Sequence, residues 1–179
     1  MKAGHFLKLI LSITSLNMFV ACTAVPEGIK PVNNFELPRY LGKWYEIGRF
    51  DHSFEEGLQQ VTAEYSMRDD GGVSVLNRGF NPKKQEWDEA QGKAYFVNSS
   101  DVGHLKVSFF GPFYASYVIF ELDKQHYNYA LITGPDRDYF WLLARTPQLS
   151  TELQAQLVEQ AREAGFDTSK IIWVDHNSQ

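Results

Sequence analysis

From Gly42 onward, short runs rich in β-branched and aromatic residues alternate with clusters of turn residues. Eight such runs predict strands at about 43–50, 61–68, 73–80, 86–97, 105–110, 114–122, 127–133 and 139–145. The breaks are turn chemistry: Asp69-Asp70-Gly71-Gly72, Asn81-Pro82, Asn98-Ser99-Ser100, Gly111-Pro112 and Gly134-Pro135-Asp136. Links this short make neighbouring strands antiparallel. The second run shows the period most clearly, with Val61, Ala63, Tyr65 and Met67 on one face and Thr62, Glu64, Ser66 and Arg68 on the other. Leu105, Val107 and Phe109 alternate in the same way with Lys106 and Ser108. The eighth run is apolar on both faces, Trp141 and Leu143 against Phe140 and Leu142, so something must cover its outer side. A helix can do so: Ser150 is a good N-cap, Glu152 lies in the first turn, and Leu153, Leu157, Ala161 and Ala164 recur at helical spacing before Gly165. Ile171 to Val174 reads as one more short strand. The periodicity predicts an all-β chain, an eight-stranded antiparallel up-and-down barrel with one C-terminal helix packed outside, and a flattened sandwich fits it almost as well.

The start of the chain follows a different pattern. Lys2 and Lys8 precede the mostly apolar run 9–20, which ends at small Ala21, as in an exported protein. The run is too short, and too interrupted by Ser, Thr and Asn, to span a bilayer. The chain's one cysteine, Cys22, follows directly, and Phe19-Val20-Ala21-Cys22 resembles the lipobox of bacterial lipoproteins, with Phe19 where Leu is usual. The expected organisation is a signal peptide at 1–21, a lipidated tether at 22–31 containing Pro26, Gly28 and Pro31, and a barrel domain at 32–179. Cys22 is the expected lipidation site and the membrane the expected partner through its acyl chains, each buried CH₂ adding about 0.8 kcal/mol of membrane affinity. Thr23 after the cysteine, by resemblance to sorting in Gram-negative lipoproteins, points to the outer membrane, periplasmic side. Loss of Lys2 and Lys8 takes the formal charge from −5 to −7, which disfavours nucleic acid as a partner.

Three further segments occur together. Gly42-Lys43-Trp44-Tyr45 opens the first strand, Tyr127-Asn128-Tyr129-Ala130 opens the seventh, and Leu143-Ala144-Arg145-Thr146-Pro147 closes the eighth. In this order they resemble the three motifs of the lipocalin family, over nearly all of residues 22–174. The resemblance implies a closed barrel, a structural plug in which Arg145 lies over the ring of Trp44, and a fatty acid or lysophospholipid as ligand. With Arg145 turned inward, strand parity also turns Leu143, Trp141 and Tyr139 inward. The apolar faces of the other strands then supply Ala63, Tyr65, Val75, Ala94, Phe96, Val107, Phe109, Tyr117 and Ile119 as the expected ligand-binding lining, with Asn77 and Tyr117 as its polar atoms. Ala63, Gly92 and Ala94 are small and leave space between the aromatics. Parity brings no Lys or Arg inward at the mouth, so a headgroup left in solvent fits better than a carboxylate clamp.

Enzyme motifs are missing. There is no Gly-x-Ser-x-Gly elbow, phosphate loop or His-Glu-x-x-His. His52, His104, His126 and His176 lack metal-ligand spacing and read as surface residues; no metal or cofactor is expected. Some lipocalins use a barrel cysteine as nucleophile, but Cys22 lies in the tether. An enzyme acting on an apolar substrate would depend on an inward acid, Glu46 or Glu121, and a filled-barrel scaffold is the other alternative. Exposed aromatics near Phe110 and Phe113 leave room for a homodimer.

Overall fold

The computed structural model describes residues 23–177; residues 1–21, expected to be a signal peptide, and Cys22 lie outside the described residues. A short helix α1, Leu37–Tyr40, precedes strands β1, Gly42–Arg49; β2, Gln59–Met67; β3, Val73–Asn81; and β4, Glu86–Phe96. Strands β5, His104–Ser108; β6, Ala115–Leu122; β7, Tyr129–Thr133; and β8, Phe140–Ala144 follow, then helix α2, Thr151–Glu163, and strand β9, Ile172–Trp173. Each of β1 to β7 pairs antiparallel with the next, and β8 returns to β1. The eight strands therefore close into a barrel, which settles the choice against an open sandwich.

Closure is tight at one end and interrupted at the other. Gly42 to Tyr45 pair with β2, but beyond them the two strands part. There Gly48 and Arg49 pair with β9, and Gln60 N–H donates to Asp175 O at 2.8 Å, so the C-terminal segment fills the gap. The hairpins β1–β2, β3–β4, β5–β6 and β7–β8 all turn at this open end. At the other end, the chain crosses beneath the barrel from Asn33, bridged to Val102, through α1 into Gly42.

Two apolar layers follow from strand alternation. The inner one includes Trp44, Ala63, Tyr65, Val75, Ala94, Leu105, Ile119, Ile132 and Leu143. The outer one joins Ile47, Val118, Leu131, Phe140 and Leu142 to Leu157 and Ala161 of α2. That is the cover the two-faced eighth strand requires. The Ser150 hydroxyl accepts from Leu153 N–H at 3.2 Å, and Gly165, at φ +87°, ends the helix in the conformation glycine adopts most readily.

Candidate binding site inside the barrel

The closed end is built around Trp44, which is fully buried with its indole N–H donating to Tyr40 O at 2.7 Å. The Arg145 guanidinium lies over the ring, 3.9 Å from its centroid. It donates to the carbonyls of Lys43 at 2.8 Å, Arg39 at 2.7 Å, Leu41 at 3.0 Å and Tyr127 at 3.3 Å. These are backbone acceptors from α1, the start of β1 and the β6–β7 loop, so one side chain ties together the elements that close this end. Arg39 adds donors to Lys124 O and Gln125 O, and its guanidinium lies over the Tyr127 ring.

Above this floor stand three tyrosines. The Tyr117 hydroxyl is 2.7 Å from that of Tyr40 and 2.8 Å from that of Tyr65. Burial raises all three, Tyr65 to about 12 and the others well above their usual range, so they are neutral hydrogen-bonding groups at any physiological pH. Two bonds use two of the three hydroxyl protons and leave a donor. Asn77 Oδ1 is a buried acceptor with no hydrogen-bond partner among the described residues.

The rest of the lining follows parity closely. Ala63, Tyr65, Val75, Ala94 and Ile119 are buried in the inner layer, and Phe96, Val107, Phe109, Tyr117 and Trp141 pack against it while keeping some solvent contact. Asn77 lies opposite Ala63 and Ala90, and Ala90, on the inward face of β4, is exposed. The inward side chains of this second group, and Ala90, are therefore only partly covered by the barrel's own packing. Gly92 leaves no free space between the aromatics: a Cβ there would come within 2.8 Å of the Phe109 ring, which occupies the position. Tyr139 precedes β8 rather than belonging to it. Its ring stacks on His52 at 4.5 Å and on Trp141 at 6.0 Å, at the rim of the mouth.

Of the three register shifts in the sheet among the described residues, the one in β2 between Gln59 and Thr62 precedes the alternating run, and those in β1 and β6 change the parity count. In β1 the register shifts between Glu46, opposite Leu143, and Gly48, opposite Leu142. Ile47 and Gly48 therefore face outward together, and Glu46 and Arg49 both turn inward. The absence of an inward cation near the mouth, expected from simple alternation, is thus corrected: Arg49 is buried there at 1% exposure. Its guanidinium donates to Glu46 Oε1 at 2.8 Å and to Glu55 O at 2.8 Å, and it lies 4.0 Å from Glu55 Oε1. Trp141 N–H donates to that same oxygen at 3.0 Å. In β6 a bulge after Ile119 places Glu121 opposite outward Leu131. Glu121 then lines an outer groove with Phe120 and Gln160, so it is no interior acid.

Burial, reinforced by the neighbouring Glu55 carboxylate, raises Glu46 from 4.5 to about 8 despite Arg49. Burial also raises Glu55, while Arg49 and the Trp141 N–H oppose that rise. At neutral pH Glu46 keeps its proton and shares a hydrogen bond with Glu55, and the Arg49 charge balances one carboxylate. The unfolded chain releases the Glu46 proton near 4.5 and the folded chain holds it to about 8, so stability falls as pH rises through that window and levels off above it. Urea midpoints measured between pH 5.5 and 8.5 should show this slope, and Glu46→Gln should flatten it. An equal slope in the variant would place the titration elsewhere.

The histidines need one correction. His104 is not a surface residue but 6% exposed, with Nε2 2.8 Å from Ser116 Oγ, and burial lowers its basicity. No cluster of three potential metal-ligating side chains occurs among the described residues.

The comparisons agree with this architecture. The outer membrane lipoprotein Blc of Vibrio cholerae is 58% identical over 166 residues, 93% of this chain and 95% of that one. Its Escherichia coli K12 namesake is 51% identical over 172 residues, covering 95% and 97%. Mouse apolipoprotein D is 32% identical over 149 residues, 79% of this chain and 77% of that one. Among solved structures, insecticyanin from the tobacco hornworm Manduca sexta superposes with a TM-score of 0.66 at 21% identity, over 85% of this chain and 86% of that one. A family model described as a lipocalin-like domain matches residues 35–176, and the chain belongs to the lipocalin family.

Proposed function

We propose that the protein binds one single-chain lipid, a fatty acid or a lysophospholipid, with its acyl chain in the barrel and its polar end towards the mouth. In this reading an acylated Cys22 holds the protein at the periplasmic face of the outer membrane of a Gram-negative bacterium, where it stores or carries that lipid without chemistry. The observation that carries the reading is the partial solvent contact of apolar side chains on the inward face near the mouth. Val107, Phe109 and Trp141 face inward towards the mouth and keep solvent contact, as does Ala90, where a filled barrel would bury them. Each acyl CH₂ moved from water onto such a lining contributes about 0.8 kcal/mol, so a dozen or more provide ample drive against the lost freedom of the chain. Glu46, the inward acid on which an enzymatic reading depends, is engaged by Arg49 and Glu55. The names of the bacterial relatives, outer membrane lipoproteins, support the location.

The test is a tryptophan-fluorescence titration of delipidated residues 23–179 with a lysophospholipid and with the matching fatty acid. Saturable binding at micromolar affinity or tighter is expected, and Val107→Arg, which places a charge in the lumen, should weaken it at least about tenfold. A folded wild-type protein that binds neither would favour the scaffold, and turnover of either would favour the enzyme.

A further inference from the structure

Of the seven large apolar side chains left exposed among the described residues, four lie at the mouth, while Met67 ends β2 at the closed end and Ile172 and Trp173 lie on β9. Phe54, 64% exposed, lies in the β1–β2 loop; Trp87, 47% exposed, begins β4 next to the β3–β4 turn; Phe110 and Phe113, 81% and 66% exposed, lie in the β5–β6 loop. These are three of the four connections around the mouth, consecutive along the rim. Exposed Lys83 and Lys84 form the tip of the middle one, and the Arg78 guanidinium lies 5.1 Å from the Trp87 ring centroid. The fourth connection, β7–β8, carries exposed Asp136 and Asp138 and no large exposed apolar side chain.

The start of the chain leads to this same end. Arg137, in the β7–β8 loop, donates to Glu27 O at 2.6 Å and to Ala164 O at 3.1 Å, clamping the N-terminal segment to the outer wall. Four residues lie between Cys22 and Glu27, a reach of at most about 17 Å of extended chain.

We infer that the aromatic arc of Phe54, Trp87, Phe110 and Phe113 docks onto a phospholipid bilayer, with the mouth of the barrel turned to the membrane surface. Aromatic rings beside lysines are the side chains that settle at the boundary between headgroups and acyl chains. A fluid surface can meet residues presented from three separate loops at once. Lys83 at the centre of the arc faces lipid phosphates, while Lys84 is paired with Glu86 at 3.4 Å and exposed Asp51 and Glu56 flank Phe54. Burial of the rings and the approach of the N-terminal segment to this end, rather than net charge, therefore set the orientation. A lipid leaving the bilayer then enters the lumen without crossing water. The orientation uses the acylation of Cys22 proposed above, but the docking surface does not.

Residues 23–177 contain every strand, both helices and both apolar layers, so the chain without its anchor keeps all the described contacts. Unacylated residues 23–179 should float with vesicles of phosphatidylethanolamine and phosphatidylglycerol. The variant Phe54→Ser/Phe110→Ser/Phe113→Ser should lower the partition coefficient at least about tenfold, each ring losing apolar burial. Its affinity for a lysophospholipid below micelle concentration should stay within about twofold. Equal flotation of variant and wild type overturns the inference, as does a wild type that stays in solution. So does a wild type that self-associates in sedimentation, loses that association in the variant, and shows no vesicle binding; the arc then meets a second copy of the chain. A protein that binds soluble lysophospholipid but not vesicles removes the docking and leaves the lipid-binding reading. One that floats but takes up no lipid removes the lipid-binding reading and leaves the docking.

Discussion

Replacing Arg145 with alanine lowers the unfolding free energy by about 2–4 kcal/mol and leaves lysophospholipid affinity within about twofold. The loss has two sources. The guanidinium over the Trp44 face contributes about 0.5–2 kcal/mol, and its removal exposes one side of a ring that is otherwise fully buried. The carbonyls of Arg39, Leu41, Lys43 and Tyr127 lose a charged donor at 2.7–3.3 Å, and those shielded from water stay unpaired. In a domain of this size the melting temperature should fall by about 5–15 °C. Arg145→Lys should recover only part of it, because a single ammonium cannot satisfy acceptors spread around a planar fork. Affinity is spared because the plug lies below the three tyrosine hydroxyls, away from the mouth. Unchanged melting together with altered lipid affinity would overturn this and make Arg145 a ligand residue.

Where the chain keeps a strict two-residue period, the sequence is a reliable guide. Val61, Ala63 and Tyr65 of β2, and Val73 and Val75 of β3, face inward as alternation requires. The outward pair Phe140 and Leu142 demands a helix, and Leu157 and Ala161 answer at helical spacing. The count fails where one extra residue enters a strand. Nothing in Glu46-Ile47-Gly48-Arg49 announces a bulge: Gly48 is the only local cue, and its reason is distant, since a Cβ there would meet Ile171 and Trp173 at 3.0–3.1 Å. One such residue turns Arg49 into the lumen, and another in β6 turns Glu121 out of it. Gly92 misleads for a related reason. As a small residue it suggests free space, but the room it leaves belongs to Phe109 on the neighbouring strand, a long-range packing fact that local pattern does not encode. The rim aromatics are legible as residues but not as a group, because only closure of the barrel brings the three loops to one end.

The buried charges at the mouth make the second large prediction. Arg49→Met removes the only cation facing Glu46 and Glu55 inside the barrel among the described residues, and should cost about 3–5 kcal/mol at pH 8. Methionine fills much of the arginine stem's volume, so the loss measures charge and hydrogen bonding more than a cavity. Without the guanidinium, Glu55 no longer holds its charge and takes up a proton, and Glu46 keeps its own to higher pH. Both carboxyls then bind protons more tightly in the folded than in the unfolded chain, so the deficit against wild type should shrink as the pH is lowered towards 5. Arg49→Met/Glu55→Gln should restore much of the stability, since a neutral amide needs no counter-ion and can still accept from the Trp141 N–H. Urea unfolding of wild type, single and double variants at pH 5.5 and 8 reads all three effects. A pH-independent loss under about 1 kcal/mol would mean that water already screens the cluster. The predicted pattern would instead show a neutralised polar knot on the lumen wall, joining β1, β8 through Trp141 and the β1–β2 loop that carries Phe54 to the rim.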